Sequence, residues 1–172
     1  MTSLEITDFL DSKQLRYLRV QHSPAYTANE IAEAAHIQGK QLAKTVMVKG
    51  GERLYMVVIP SNYHLLLDAL EKEIGLGILT LSSESEFASL FPKCEVGAIP
   101  PIGTLYGVDV IIAEVLTHYD NITFSAGTHD TLIQMNYKEY EKLANPKVFA
   151  MTDAISAQTA PRISRKPKHF FH

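Results

Sequence analysis

Hydrophobic positions change their spacing several times along this chain, and each change predicts an element. Leu4, Phe9 and Leu10 follow a Thr2/Glu5 pair with capping-box spacing, which predicts a helix to about Asp11. Leu15 to Gln21 reads as a strand that Ser23-Pro24 breaks. Thr27 with Glu30 is a second capping box, opening a helix over Ala28–Ala35 that Gly39 closes off. Leu42–Lys49 and Leu54–Pro60 are β-rich and apolar almost throughout, with Gly50-Gly51 between them. That pattern predicts a hairpin whose strands are central and covered on both faces. Leu65–Ile74 has helical spacing, Ile78–Leu81 is a short strand, and Ser83 with Glu86 caps a helix ending near Phe91. Val108–Ala113 and Asn121–Ala126 are strands. The turn Gly127-Thr128-His129-Asp130 then leads to a return strand over Thr131–Met135. Asn136 caps a helix through Leu143, stopped by Asn145-Pro146, and Val148–Met151 can close the sheet. The expected fold is α+β: a single domain with a mixed, mainly antiparallel, barrel-like sheet surrounded by helices.

Composition narrows the class. At 172 residues, with 46% hydrophobic and 20% charged residues, the chain has the make-up of one soluble globular domain with a substantial core. No apolar run is long enough to cross a bilayer, and Met1-Thr2-Ser3-Leu4-Glu5 has no secretory character. A single cysteine, Cys94, cannot form an internal disulfide, which fits a reducing cytoplasm. The expectation is a cytoplasmic protein with no membrane partner.

The net charge of −3 is uneven. Arg162, Arg165, Lys166 and Lys168 fall in the last eleven residues, which hold no acid, so removing their +4 leaves −7 on residues 1–161. An acidic body argues against a broad nucleic-acid surface such as DNA needs, although a local basic rim remains compatible. From Thr152 the sequence is small, polar and finally basic. Residues 152–172 are therefore expected to form a flexible basic tail behind a folded body of residues 1–151.

Candidate chemistry centres on Val96-Gly97-Ala98-Ile99-Pro100-Pro101-Ile102-Gly103. Pro101 fixes its own φ and pushes Pro100 towards an extended conformation, while glycine lets a ligand or another chain approach the backbone closely. Nothing in the stretch titrates. Read without reference to other proteins, it is either a rigid turn between strands or the wall of a small pocket. The chain holds no GxxxxGK[ST], GxGxxG, CxxC or HExxH motif, which removes the usual support for nucleotide or zinc sites. Its seven histidines are scattered. Cys94 is near enough to Gly97 for a thiol nucleophile to be conceivable, although free cysteines are usually buried hydrophobes. Lys44, at the mouth of an apolar strand, must either snorkel outward or face a pocket.

Ala43-Lys44-Thr45-Val46 leading into a hairpin, then the Gly97–Pro101 loop, then Ser125-Ala126-Gly127, resemble in order and spacing the YbaK/prolyl-tRNA synthetase-associated domain family. Pro24-Ala25-Tyr26-Thr27 is similar to that family too, and the resemblance, spanning roughly residues 4–150, implies an editing domain over residues 1–151. It implies a trans-acting aminoacyl-tRNA deacylase that hydrolyses the ester of a mischarged tRNA carrying a small wrong amino acid such as Ala, Cys, Ser or Thr. Lys44 takes the place of the family's lysine, and Gly97 and Pro101 frame its GxxxP loop, with Ala98, Ile99 and Pro100 between them. Gly127 matches its glycine-containing turn, with His129 two residues on in a segment that varies across the family. The implied chemistry uses no metal or cofactor, and the 2′-hydroxyl of the terminal adenosine assists the attacking water. The implied partners are the 3′ acceptor end of mischarged tRNA and an aminoacyl-tRNA synthetase. The competing reading is a non-catalytic module that binds a tRNA 3′ end, a synthetase or a small ligand.

Overall fold

A hairpin with a two-residue turn forms the centre of the sheet. In the computed structural model, which describes residues 3–23, 25, 30, 31, 33, 35, 41–150, 170 and 171, β2 (Leu42–Gly50) pairs antiparallel with β3 (Arg53–Pro60) from Ala43↔Pro60 to Gly50↔Arg53. The turn is therefore Gly51-Glu52, one residue later than the Gly-Gly pair suggests. Gly51 supplies the positive φ of 62°. Gly50 belongs to the strand, where a Cβ would meet the Leu79 side chain at 3.0 Å.

The other strands are β1 (Tyr17–Gln21), β4 (Leu65–Leu66), β5 (Leu79–Leu81), β6 (Asp109–Ala113), β7 (Asn121–Ser125), β8 (Thr131–Asn136), β9 (Lys147–Phe149) and β10 (Phe170–Phe171). The main sheet runs β1-β8-β7-β2-β3-β6-β9, with β5 also paired to β2. The pairs β1–β8, β7–β8, β2–β3 and β2–β5 are antiparallel; β2–β7, β3–β6 and β6–β9 are parallel. The mixed, mainly antiparallel sheet matches the expectation, but its ends β1 and β9 do not pair among the described residues, so the barrel is not closed.

Alternation along the central strands makes two cores. Ala43, Met47, Met56, Val58, Val110, Ile112, Ile122, Phe124, Ile133 and Met135 face one side, where the helices Ser3–Ser12 and Tyr137–Ala144 cover them. Val46, Val48, Val57, Ile59, Ile111 and Ala113 face the other, beneath the helix Leu67–Ile74. Burial on both faces explains why these strands carry so few polar residues. A third, small cluster joins Ala25, Ile31, Leu42 and Leu132, with Glu30, Ile31 and Glu33 in helical conformation.

Several local signals act as read. Glu86 accepts the Ser83 N–H at 2.9 Å, and Asn136 accepts the N–H groups of Lys138 and Glu139 at 2.9 and 3.3 Å. The helix expected from Leu65 starts at Leu67, because Leu65 and Leu66 pair with Phe171 and Phe170. The Thr2 and Thr27 capping positions, the 151/152 boundary and the cations Arg162, Arg165, Lys166 and Lys168 lie outside the described residues.

Candidate active site

The Gly97–Pro101 loop is held by its carbonyls. Ala98 O accepts the Gly127 N–H at 2.8 Å, and Ile99 O accepts the Thr45 hydroxyl at 3.0 Å. Pro100 O accepts the Ile102 N–H at 2.8 Å, and Pro101 O accepts the hydroxyl of the fully buried Tyr140 at 2.7 Å. These four oxygens, from Ala98 to Pro101, thus point into the protein, whereas Gly97 O accepts no hydrogen bond from a described residue. Of the donors, Ala98 N–H goes to Glu95 O at 3.0 Å and the prolines have none. The N–H groups of Gly97 and Ile99 make no hydrogen bond to a described residue. From Ala98 to Pro101 every backbone acceptor is occupied, while the Gly97 and Ile99 donors have no partner among the described residues, a polarity suited to a developing oxyanion.

Gly97 is exposed at φ 84°, a conformation that disfavours any Cβ. The space beside it belongs to His129, whose Cε1 lies 3.6 Å from where that Cβ would be. The turn carrying Gly127 and His129 is fastened from two sides. Towards the loop, Glu95 N–H donates to Gly127 O at 2.9 Å, and the Glu95 carboxylate accepts the His129 N–H at 2.9 Å. The same carboxylate oxygen stands 3.6 Å from His129 Nε2, an approach that becomes an ion pair when the ring is protonated. Towards the N-terminal region, His22 N–H donates to Asp130 O at 2.9 Å and Ala25 N–H to His129 O at 3.3 Å. The loop, the glycine turn, His22 and Ala25 are therefore joined by hydrogen bonds.

Lys44 joins this set through the sheet. Its neighbour Thr45 bonds the loop, while alternation turns Lys44 to the other face, between Leu42 and Val46, both 2% exposed. The parallel register Leu42↔Thr123, Ala43↔Phe124, carried one step further, sets Lys44 beside Ser125, two residues before Gly127. Lys44 is half-buried, and its side chain makes no hydrogen bond or ion pair with a described residue. Burial alone pushes its pKa down from 10.5 to about 8. A lysine so placed remains mostly cationic at neutral pH, with no counter-ion among the described residues.

The structure thus brings Ala98, Ile99, Pro100, Pro101, Gly127 and His129 together and places Lys44 on the strand that holds the loop. Three residues that help build this arrangement were not singled out from sequence: Thr45, Glu95 and Tyr140. Cys94 is half-buried, 3.8 Å from the Tyr106 hydroxyl. Two cavities lined by described residues lie away from the loop, one near β7 and one beside Arg53 and Asp109. Among the described residues no group of three or more His, Cys, Asp or Glu could hold a metal ion, and no helix is long and apolar enough to cross a membrane.

With this geometry in hand, comparison with known proteins is decisive at the family level. The profile of the aminoacyl-tRNA editing domain matches residues 22–143. The chain belongs to the aminoacyl-tRNA editing domain family. The matched span runs from the His22–Ala25 segment to the helix bearing Tyr140, so it contains every part of the site above. The chain is 24% identical over 148 residues to the prolyl-tRNA editing protein ProX of Acetoanaerobium sticklandii, covering 81% of this chain and 90% of that one. The fold is shared with a candidate trans-editing enzyme for prolyl-tRNA synthetase, at a TM-score of 0.72 and 22% identity over 85% of this chain and 93% of that one. It is shared also with a hypothetical protein of known structure, at a TM-score of 0.74 and 18% identity over 85% and 97%. The resemblance noted from Lys44, the Gly97–Pro101 loop and Gly127 is borne out.

Proposed function

We propose that this editing domain is a trans-acting deacylase that hydrolyses the ester of a tRNA mischarged with a small amino acid, and that it does so without a metal. The observation that carries the reading is the internal fastening of the four carbonyls from Ala98 to Pro101, which leaves the Gly97 and Ile99 N–H groups as donors without a partner among the described residues. A water oxygen attacks the ester carbonyl carbon, and the carbonyl oxygen gathers negative charge against these donors. Collapse of the tetrahedral species breaks the acyl–oxygen bond. The ribose oxygen leaves with a proton, giving free amino acid and tRNA. The neighbouring 2′-hydroxyl of the terminal adenosine assists the water, so the protein need not supply a strong base. Lys44 supplies a poorly solvated positive charge for the 3′-terminal phosphate or the ester region, and desolvation strengthens that attraction. His129, pressed against Gly97, shapes the wall that the amino-acid side chain meets.

Rigidity supports the choice of a small substrate. A synthetase separates amino acids that differ by one methylene by only about 1–3 kcal/mol, so a second sieve that admits only the smaller one is needed. The test is a deacylation panel: alanine, cysteine, serine and threonine esters on proline and threonine acceptor tRNAs. Hydrolysis of at least one mischarged species, with the correctly charged tRNA spared, is expected. Tight binding of the panel without turnover would instead make the chain a binding module.

A further inference from the structure

One row of residues crosses the sheet from Leu42 on β2 through Thr123 on β7 and Gln134 on β8 to Leu18 on β1. Cross-strand partners share a face, so Thr123 and Gln134 lie on the same face as Lys44. Beside them opens a cavity of about 290 Å³. Its walls are Thr123 and Gln134 from the sheet, Gln41 just before β2, and the segment His118–Asn121. Thr123 is fully buried and accepts a hydrogen bond from Gln134 Nε2 at 3.2 Å. The side chains of Gln41, Tyr119, Asp120 and Asn121 make no hydrogen bond to a described residue. Every lining side chain is polar, yet none is a lysine or arginine, and Asp120 carries a negative charge.

That chemistry disfavours a phosphate. It suits a flat, neutral group rich in N–H donors and carbonyl or ring-nitrogen acceptors. Carboxamides pair bidentately with adenine, and a carboxylate accepts from the cytosine amino group. Unpaired nucleotides are read in this way, with the base stacked on an aromatic ring, here the phenol of Tyr119. Thr123 pairs with Leu42, two strand residues from Lys44 on the same face and about 7 Å away, short enough for adjacent nucleotides to occupy both places. The geometry points to a nucleobase subsite: the cavity takes the unpaired cytosine next to the 3′-terminal adenosine of the mischarged tRNA. The assignment rests on the deacylase reading and adds to it a fixed register for the 3′ end.

Asp120 and Asn121 are exposed, and Asp120 serves the fold through its backbone, whose carbonyl accepts the Tyr137 N–H at 2.8 Å. The variants Asp120→Ala, Asn121→Ala and their combination are compared with wild type on two substrates: a mischarged tRNA, and the matching aminoacyl-adenosine, which lacks the neighbouring base. The double variant should raise KM for the tRNA about tenfold, as loss of one good base contact does, with kcat retained and aminoacyl-adenosine hydrolysis unaltered. An unchanged KM for the tRNA, or an equal loss on both substrates, overturns the subsite. Should wild type hydrolyse neither substrate, the deacylase reading fails separately, and calorimetry with the trinucleotide CCA decides the subsite. Binding weakened in the double variant supports it; no binding to wild type, or equal binding, refutes it.

Discussion

Lys44→Met should make this protein more stable and much less active. Burial between Leu42 and Val46 lowers the Lys44 pKa from 10.5 to about 8, and no counter-ion among the described residues offsets it. At about 1.4 kcal/mol per pH unit, holding that proton costs the folded state about 3 kcal/mol at pH 7. The sign follows from proton counting. Below pH 8 both folded and unfolded chains carry the proton and the full penalty applies. Between pH 8 and 10.5 the unfolded chain holds more proton than the folded one, so raising the pH stabilises the native state. Methionine keeps the length of the side chain and abolishes the charge. Urea titrations of wild type and variant at matched pH should therefore show the variant ahead by about 3 kcal/mol at pH 7, falling to about 1.4 kcal/mol at pH 9.5 and vanishing above 10.5. Comparing the two proteins at each pH cancels the titration of every other group. A variant no more stable than wild type at pH 7 would refute the buried-charge argument. So would an advantage that is the same at pH 7 and pH 9.5, since better packing alone gives a pH-independent gain. Loss of deacylation in the stabilised variant would then tie the destabilising charge to function.

Four further outcomes are expected. Tyr140→Phe strands the buried Pro101 carbonyl; it should lower stability by about 1–3 kcal/mol in chemical denaturation and slow deacylation by loosening the loop. Gly103→Ala would place a Cβ 2.0 Å from Val108 O and 2.6 Å from Val110 Cγ2, so a loss of about 3 kcal/mol or more, or failure to accumulate folded protein, is expected. Deacylation should survive EDTA; inactivation reversed by zinc would contradict the proposed metal-free mechanism. Replacing Arg162, Arg165, Lys166 and Lys168 with serine, which keeps the Phe170–Phe171 strand, should raise KM for tRNA and flatten its salt dependence without changing amino-acid preference, because these cations can contact phosphates that carry no information about the amino acid.

What the sequence disclosed, and what it hid, divides by range. Period-2 and period-3.6 patterns located the central hairpin, the strands from Val108 onward and the helix capped by Asn136, because these depend on neighbours in the chain. The errors sit where a distant segment intervenes. The helix expected from Leu65 gives up its first two residues to Phe170–Phe171, and the Gly50-Gly51 turn moves on by one because Leu79 packs against Gly50. The site divides in the same way. Gly97, Pro100 and Pro101 announce a stiff loop by composition. Thr45, Glu95 and Tyr140 are ordinary residues that matter only through the long-range bonds they make, at 3.0, 2.9 and 2.7 Å, to Ile99 O, His129 N and Pro101 O. No local pattern marks such residues. Each sits close in sequence to something that is marked: Thr45 follows Lys44, Glu95 precedes Gly97 by two, and Tyr140 lies on the helix that Asn136 caps.

The proposed sieve requires stiffness at one point and tolerates strain at another, and the two follow from different physics. Excluding one methylene depends on a wall that does not retreat, and a loop can retreat only by breaking the bonds that hold it. Here those bonds come from four separate places: the Gly127 turn, strand β2 through Thr45, Ile102 just after the loop and the helix Tyr137–Ala144 through the buried Tyr140. Opening the wall by an ångström would strand several carbonyls at once, at about 1–3 kcal/mol for each one left buried without a partner. That sum is as large as the discrimination the wall must supply. Lys44 is treated in the opposite way. Among the described residues it has no counter-ion, at a cost to the folded state, and a phosphate or a developing oxyanion would relieve that cost on arrival. The binding energy a pre-formed ion pair would have spent in the free protein is kept for the substrate complex.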